Sequence, residues 1–236
     1  MKALSLLRRG GTLNQLWVTL RPHLPFMLDG FLLTVFACTL AIIGAVLIGA
    51  LMASLRTSGN RIVRGVAFAY SDVFRNTPFI VQLFFFFYGL PEIGIYIGAF
   101  ETGVIALSII GGAFVSDVIR SGILAVDQGV IEAAKVSGLS RWTIFTKIVL
   151  PIALRTSVRP MGSVLINMVL TSSILSTITI NELTGTAKIV ASTTFKPFEV
   201  YLVLLVLYAS LTYALSLLIN TVHRRLNRAM DTGGAA

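Results

Sequence analysis

Between Asp29 and Arg56 lie 26 residues, Gly30 to Leu55, without a single charge. A hydrocarbon core about 30 Å thick takes roughly 20 apolar residues to cross as a helix, the form in which a single segment satisfies its own backbone polar groups. Two more stretches meet that requirement. Pro160 to Asn181 is uncharged over 22 residues, and Val200 to Val222 is closed by His223, Arg224 and Arg225. Composition agrees: hydrophobic residues make up 56% of the chain and charged residues 12%, against about 45–50% and 25% in soluble domains. An ordinary soluble globule is excluded, and disorder more firmly.

Two further segments are apolar but interrupted. Ile62 to Leu90 carries Asp72 and Arg75 ahead of Asn76-Thr77-Pro78 and the run Phe79–Tyr88. It reads as one long tilted helix of about 43 Å, or as a cytoplasmic helix joined to a spanning one at Pro78. Thr102 to Val126 holds Asp117 and Arg120, three apart and so on one helix face, where they can pair. The expected fold class is all-α and transmembrane, with five spanning helices at about 30–55, 62–90, 102–126, 160–181 and 200–222 within a domain of residues 30–226. Residues 1–29 form an N-terminal external or interfacial segment, and 227–236 a flexible cytoplasmic tail. The apolar stretch Leu4–Leu7 is too short for a secretory signal. Leu13–Leu20 with Trp17 reads as a short interfacial helix stopped by Pro22 and Pro25.

The net charge of +9 comes from basic residues set between the apolar runs rather than on an aromatic-laced face, which argues against nucleic acid. Eleven Lys and Arg fall on the 56–64 and 127–159 connections and the tail, and six on the opposite side. The richer side faces the cytoplasm, so the N-terminus is expected outside and the C-terminus inside. The single cysteine, Cys38, and the distant pair His23 and His223 offer neither a disulfide nor a metal cluster.

The connection after the third span is too long for a turn. A first helix at about 129–137 ends at Gly138, and Ser140 can cap a second from Arg141 that stops before Pro151. Ala133 and Ala134 would let its backbone approach a partner, with Glu132, Lys135, Arg141 and Lys147 as polar handles. From pattern alone, insertion into a partner's groove and lying on lipid are equal readings.

Glu132-Ala133-Ala134, three residues, Gly138, nine residues, Ile148, one residue, Leu150-Pro151 resembles in full the EAA loop of ABC-transporter permease subunits. Phe74-Arg75-Asn76-Thr77-Pro78-Phe79-Ile80-Val81-Gln82-Leu83 is similar to the R-G-T-P-x-x-V-Q element of polar amino acid permeases, importers of the histidine, glutamate, glutamine, arginine and opine type. Ala113 to Val126, Asn181-Glu182-Leu183 and Phe195 to Tyr201 extend the likeness over roughly residues 28–226. Members often carry Gly at Asn76, Tyr and Glu at Phe114 and Asp117, and Lys-Asp-Thr-Ser-Leu where this chain has Leu170-Thr171-Ser172-Ser173-Ile174.

The resemblance implies a type I importer permease in a bacterial inner membrane. It implies a second permease, identical or homologous, and two ATP-binding subunits docked through Glu132, Ala133, Ala134, Gly138 and Arg141. An extracytoplasmic amino acid-binding protein would deliver the cargo. No G-x-x-x-x-G-K-[ST] loop occurs, so ATP and magnesium belong to the partner, and the chain is expected to be non-catalytic with no cofactor of its own. The alternative is a membrane scaffold or enzyme subunit that recruits a different partner through the same loop.

Candidate pathway residues are Asp117, Gln82, Thr171 and Ser172. Asp117 is an intramembrane carboxylate that either meets a cargo cation or pairs with Arg120. Gln82 is an amide among Phe84–Phe87 that needs a partner, on a neighbouring helix or in the pathway. Thr171 and Ser172 open a hydroxyl-rich stretch that either packs helices or bonds cargo. Arg75, Thr77 and Pro78 build the kink, with Thr77 satisfying backbone groups that Pro78 frees.

Overall fold

The computed structural model describes residues 20–233, with side chains as far as Leu226. The interfacial segment expected at Leu13–Leu20 therefore lies almost wholly outside the described residues. The chain is helical throughout its ordered elements. Helix α1 (Leu24–Leu55) follows a 3-10 turn at Arg21–His23 and carries Pro25 in its first turn, where a missing N–H leaves no bond unmade. Helix α2 (Arg61–Asn76) is capped by Asn60, whose side chain accepts from the N–H groups of Ile62 and Val63. Helix α3 (Phe79–Glu92) contains a π turn at Phe85–Gly89, and α4 spans Ala99–Leu124.

Helix α5 (Gln128–Val136) is the short element of the long connection. Helix α6 (Arg141–Ile178) includes a π turn at Phe145–Val149 and ends in 3-10 geometry over Ser172–Ile178. Helices α7 (Leu183–Thr194) and α8 (Pro197–Gly233) complete the chain. Among the described residues, four helices, α1, α4, α6 and α8, are each long and apolar enough to span, and α2 with α3 makes a fifth if that pair is one span bent by 107°.

One expectation needs correction, and the last helix runs beyond the span expected for it. The second helix of the long connection does not stop before Pro151. Leu150 keeps helical angles, φ −62° and ψ −46°, and α6 runs on through Pro151 and Pro160. A proline ring clashes with the carbonyl four residues earlier, here that of Lys147, and Lys147 sits inside the π turn. The wider turn takes up the conflict. The segment expected as a flexible tail from residue 227 continues as helix to Gly233.

The bundle is centred on α1 against α4, with α6 closing on α4, α7 on α1, and α8 on α6 and α7. The buried stripe of α1 is made of small side chains at helical spacing: Gly30, Thr34, Ala37, Ala41, Ala45, Gly49 and Ala53. α4 answers with Gly103, Ala106, Gly111, Gly112, Ala113 and Ser116. With lipid outside, apolar burial between helices gives little drive, and close approach of small residues supplies the packing. A Cβ on Gly49 would collide with the Val115 side chain. The larger residues point outward: Leu32, Leu47, Phe85 and Leu205 are each more than 60% exposed, as a lipid-facing surface requires.

Candidate functional site

The break between α2 and α3 organises the interior. Thr77 leaves the helix with extended angles, φ −112° and ψ 136°, ahead of Pro78. The Thr77 hydroxyl donates to the Val73 carbonyl at 2.8 Å. Gln82 reaches back from α3, and its Nε2 donates to the carbonyls of Phe74 at 2.9 Å and Thr77 at 3.0 Å. Its amide thus splints the bend across the two helices and stands outside the cavity described below.

Asp117 does not pair with Arg120. One carboxylate oxygen receives Arg56, at the C-terminus of α1, and the other receives Arg75, in the last turn of α2. The Arg56 side chain is 2% exposed, so this link between three helices is desolvated at its Arg56 end. Arg120 is exposed and lies over the Phe68 ring, 5.4 Å from its centre, with Arg56 over the same ring at 4.8 Å. The packing of α1 and α2 against α4 brings Arg56 and Arg75 to the carboxylate in place of the neighbour three residues along the same helix.

Beside this cluster lies a cavity of about 540 Å³ between the break, α4 and α6. Phe79, Leu107, Ile110, Phe114, Val164 and Met168 give it an apolar wall, and Arg75, Thr77, Ser163, Asn167 and Thr171 its polar groups. Arg75 stands 5.8 Å from the Phe114 ring centre. Of the four pathway candidates, Thr171 lines this cavity and Asp117, Gln82 and Ser172 do not. Ser172 is buried, and its hydroxyl donates to the Val169 carbonyl at 2.7 Å. Ser173, Ser176 and Thr177 donate likewise to carbonyls three residues back, which serves the tight 3-10 turn. Arg75 and Asn167 enter the site through geometry. Arg75 had been read only as part of the kink, and nothing local marks Asn167.

Glu182, which the sequence marks only through the Asn181-Glu182-Leu183 likeness, joins three helices. It is fully buried. Its carboxylate caps α7, accepting from the N–H groups of Thr184 at 2.9 Å and Gly185 at 3.0 Å. It also accepts from the hydroxyl of Tyr208 on α8 at 3.0 Å and that of Thr34 on α1 at 3.4 Å. Burial raises the carboxyl's pKa above the ordinary value, outweighing the hydrogen bonds that lower it.

On the long connection, Asp127 caps α5 through the Gly129 N–H at 2.7 Å. Gly138 ends it at φ +78°, a conformation natural to glycine. Ser140 caps α6 through the Thr143 N–H at 3.1 Å. The two alanines part company: Ala134 is buried with Val126, Ile144 and Val149, whereas Ala133 faces out with Glu132. Val136 is 90% exposed and Trp142 74%, and with Leu139 they form an apolar knuckle beside the exposed Arg141.

A bundle of long apolar helices, a broken helix beside a cavity and an exposed apolar knuckle are the features of a membrane transport subunit. Residues 45–232 match the model of the family described as binding-protein-dependent transport system inner membrane component. The chain is 33% identical over 202 residues to the probable glutamine ABC transporter permease protein GlnM of Bacillus subtilis, covering 86% of this chain and 94% of that one. It is 36% identical over 197 residues to the nopaline transport system permease protein NocM of Agrobacterium fabrum, covering 78% and 82%. A crystal structure of an amino acid ABC transporter with histidines superposes with a TM-score of 0.84 at 33% identity, over 89% of this chain and 98% of that one. The MetNI methionine ABC transporter shares the fold at a TM-score of 0.65 and 21% identity, over 88% and 96%. The chain belongs to the family of binding-protein-dependent transport system inner membrane components, and it is an ABC importer permease subunit.

Proposed function

We propose that this permease carries amino acids inward through the α2–α3–α4–α6 cavity. The observation that carries the reading is the cavity itself, in which one arginine and four neutral hydrogen-bonding side chains face an apolar wall. A zwitterion asks for this arrangement: a guanidinium fork for its carboxylate, hydroxyl and amide oxygens for its ammonium group, and apolar surface for carbon. The names of the glutamine and nopaline permeases support the cargo class.

The cytoplasmic side is the one with α5, and the C-terminus shares it. Two ATP-binding subunits, which hold ATP and magnesium and perform the hydrolysis, seat on α5 of this chain and of a second permease chain, while a binding protein delivers cargo outside. The knuckle of Val136, Leu139 and Trp142 is the docking surface, with Glu132, Ala133 and Arg141 around it. Ala134 packs α5 onto Val126 at the foot of α4 and onto Ile144 and Val149 of α6. Both of those helices line the cavity. A push on α5 is therefore transmitted to two cavity walls.

The deciding experiment is uptake into proteoliposomes that hold the chain with its ATP-binding subunits and binding protein. Uptake of a labelled amino acid that requires ATP and the binding protein supports the reading, and ATP-dependent accumulation of none refutes it. Val136→Glu leaves the fold intact, because the side chain is almost fully exposed, and removes the ATPase from pull-downs. Gly138→Asp costs about 1 kcal/mol through its left-handed backbone and re-aims the helix, so ATPase capture falls while membrane insertion persists. Full capture by both variants would show that docking occurs elsewhere.

A further inference from the structure

The cavity has a charge inventory that narrows the cargo. We infer that this permease selects amino acids whose side chains are electrically neutral, and that it turns away cationic ones; the inference rests on the cavity being the cargo site. Arg75 is the one charged side chain in the lining. The acid that touches it is Asp117, which does not line the cavity and whose single negative charge is already shared between Arg56 on one oxygen and Arg75 on the other. Those three groups together carry a formal charge of +1.

A lysine or arginine side chain entering here brings a second positive charge toward that excess and finds no carboxylate to pair with. Next to low-dielectric protein, like charges a few ångströms apart repel more strongly than in bulk water. An acidic side chain fails for a different reason. The α-carboxylate occupies the donors of Arg75 that face the cavity, and a second carboxylate finds no second cation, because Arg56 is buried and outside the lining. Thr77, Ser163, Asn167 and Thr171 can donate and accept without carrying charge. They suit an amide or hydroxyl side chain, and the wall around Phe114 suits an apolar one. The order of preference is therefore neutral, then anionic, then cationic.

The test must read the permease rather than the binding protein, which applies its own selection. The intact complex of permease and ATP-binding subunits is placed in nanodiscs without binding protein, and binding of tritiated glutamine, leucine, glutamate and arginine is measured. Glutamine or leucine should bind at least about tenfold more tightly than glutamate, and more tightly again than arginine. Asn167→Asp changes the shape of the wall little and adds the missing acid, so arginine binding should rise by about tenfold while glutamine binding falls. Ser163→Asp is made in parallel, so that one variant that fails to assemble does not end the test. Arginine or glutamate bound as tightly as the neutral amino acids by the unaltered complex, or preferences unmoved by both acidic variants, overturns the inference while leaving the cavity as the cargo site. Binding of none of the four by a complex that still hydrolyses ATP overturns the cavity reading and the inference with it.

Discussion

Replacing Asp117 by alanine will destabilise the folded chain by about 3 kcal/mol. The structure leaves Arg56 and Arg75 converging on a single carboxylate, and removing it strands two guanidinium groups. Breaking a buried pair from one side costs about 3–5 kcal/mol, since the remaining charge is left desolvated. The lower end applies because Asp117 and Arg75 are partly exposed, at 27% and 39% of their side chains, and only Arg56, at 2%, is fully enclosed. For a chain of this length the melting temperature should fall by about 6–12 °C. A thermal melt of the purified protein in detergent reads it. Asp117→Asn, which keeps one acceptor, should lie between the alanine variant and the unaltered chain.

Arg120→Ala is the control that separates this clamp from the pair expected within α4. Arg120 is exposed and touches the Phe68 ring, a contact worth about 0.5–1 kcal/mol at such sites. Its loss should barely move the melt. If Arg120→Ala were as damaging as Asp117→Ala, with Arg56→Ala silent, the three-helix clamp would be refuted.

The difference between what the sequence disclosed and what it hid follows the range of the physics involved. The uncharged runs announced α1, the C-terminal half of α6, and α8, because crossing a bilayer is a one-dimensional demand on length and charge. The caps of the long connection were equally open to reading. Gly138 and Ser140 act on backbone groups within a few residues of themselves. Asp117 was different. Its two partners come from α1 and α2, and Arg56 lies 61 residues away in the chain, so only the packing of small residues between α1 and α4 puts them within reach.

The continuation of α6 through Pro151 was hidden for another reason. The rule that a residue ahead of proline leaves the helix is a tendency, and the π turn that defeats it at Phe145–Val149 has no sequence mark. Gln82 was recognised as an amide in need of a partner, yet both of its partners are carbonyls exposed by a bend whose 107° could not be foreseen. Asn167 carries no local signal, and it becomes a cavity residue only when the break, α4 and α6 are set together. The charge inventory of that cavity is likewise a property of the assembled bundle.

The same reasoning leads to Glu182, where the sequence did offer a trace. An acid directly ahead of a helix, three residues before Gly185, is in position to cap it. What the sequence could not show is that the cap is buried among three helices. Glu182→Ala should cost about 3–5 kcal/mol, from the loss of a helix cap together with the hydroxyls of Tyr208 and Thr34 and two backbone N–H groups left short of acceptors in a dry interior. Glu182→Gln retains one carbonyl oxygen, and its amide nitrogen cannot accept, so about half of that loss should remain. Tyr208→Phe removes a single donor and should cost about 1 kcal/mol.

The graded series Ala, Gln, Phe in a thermal melt is the signature of an acceptor at a junction. The functional consequence follows from placement. α7 packs on α1, α8 and the 3-10 end of α6, the turn that begins directly after the cavity residue Thr171. Loosening α7 should therefore lower uptake per folded transporter in the glutamine variant, and by less in Tyr208→Phe. If Glu182→Ala melted with the unaltered chain, the carboxylate would not be holding α1, α7 and α8 together, and the Thr171 end of the cavity would have to be fixed by apolar packing alone.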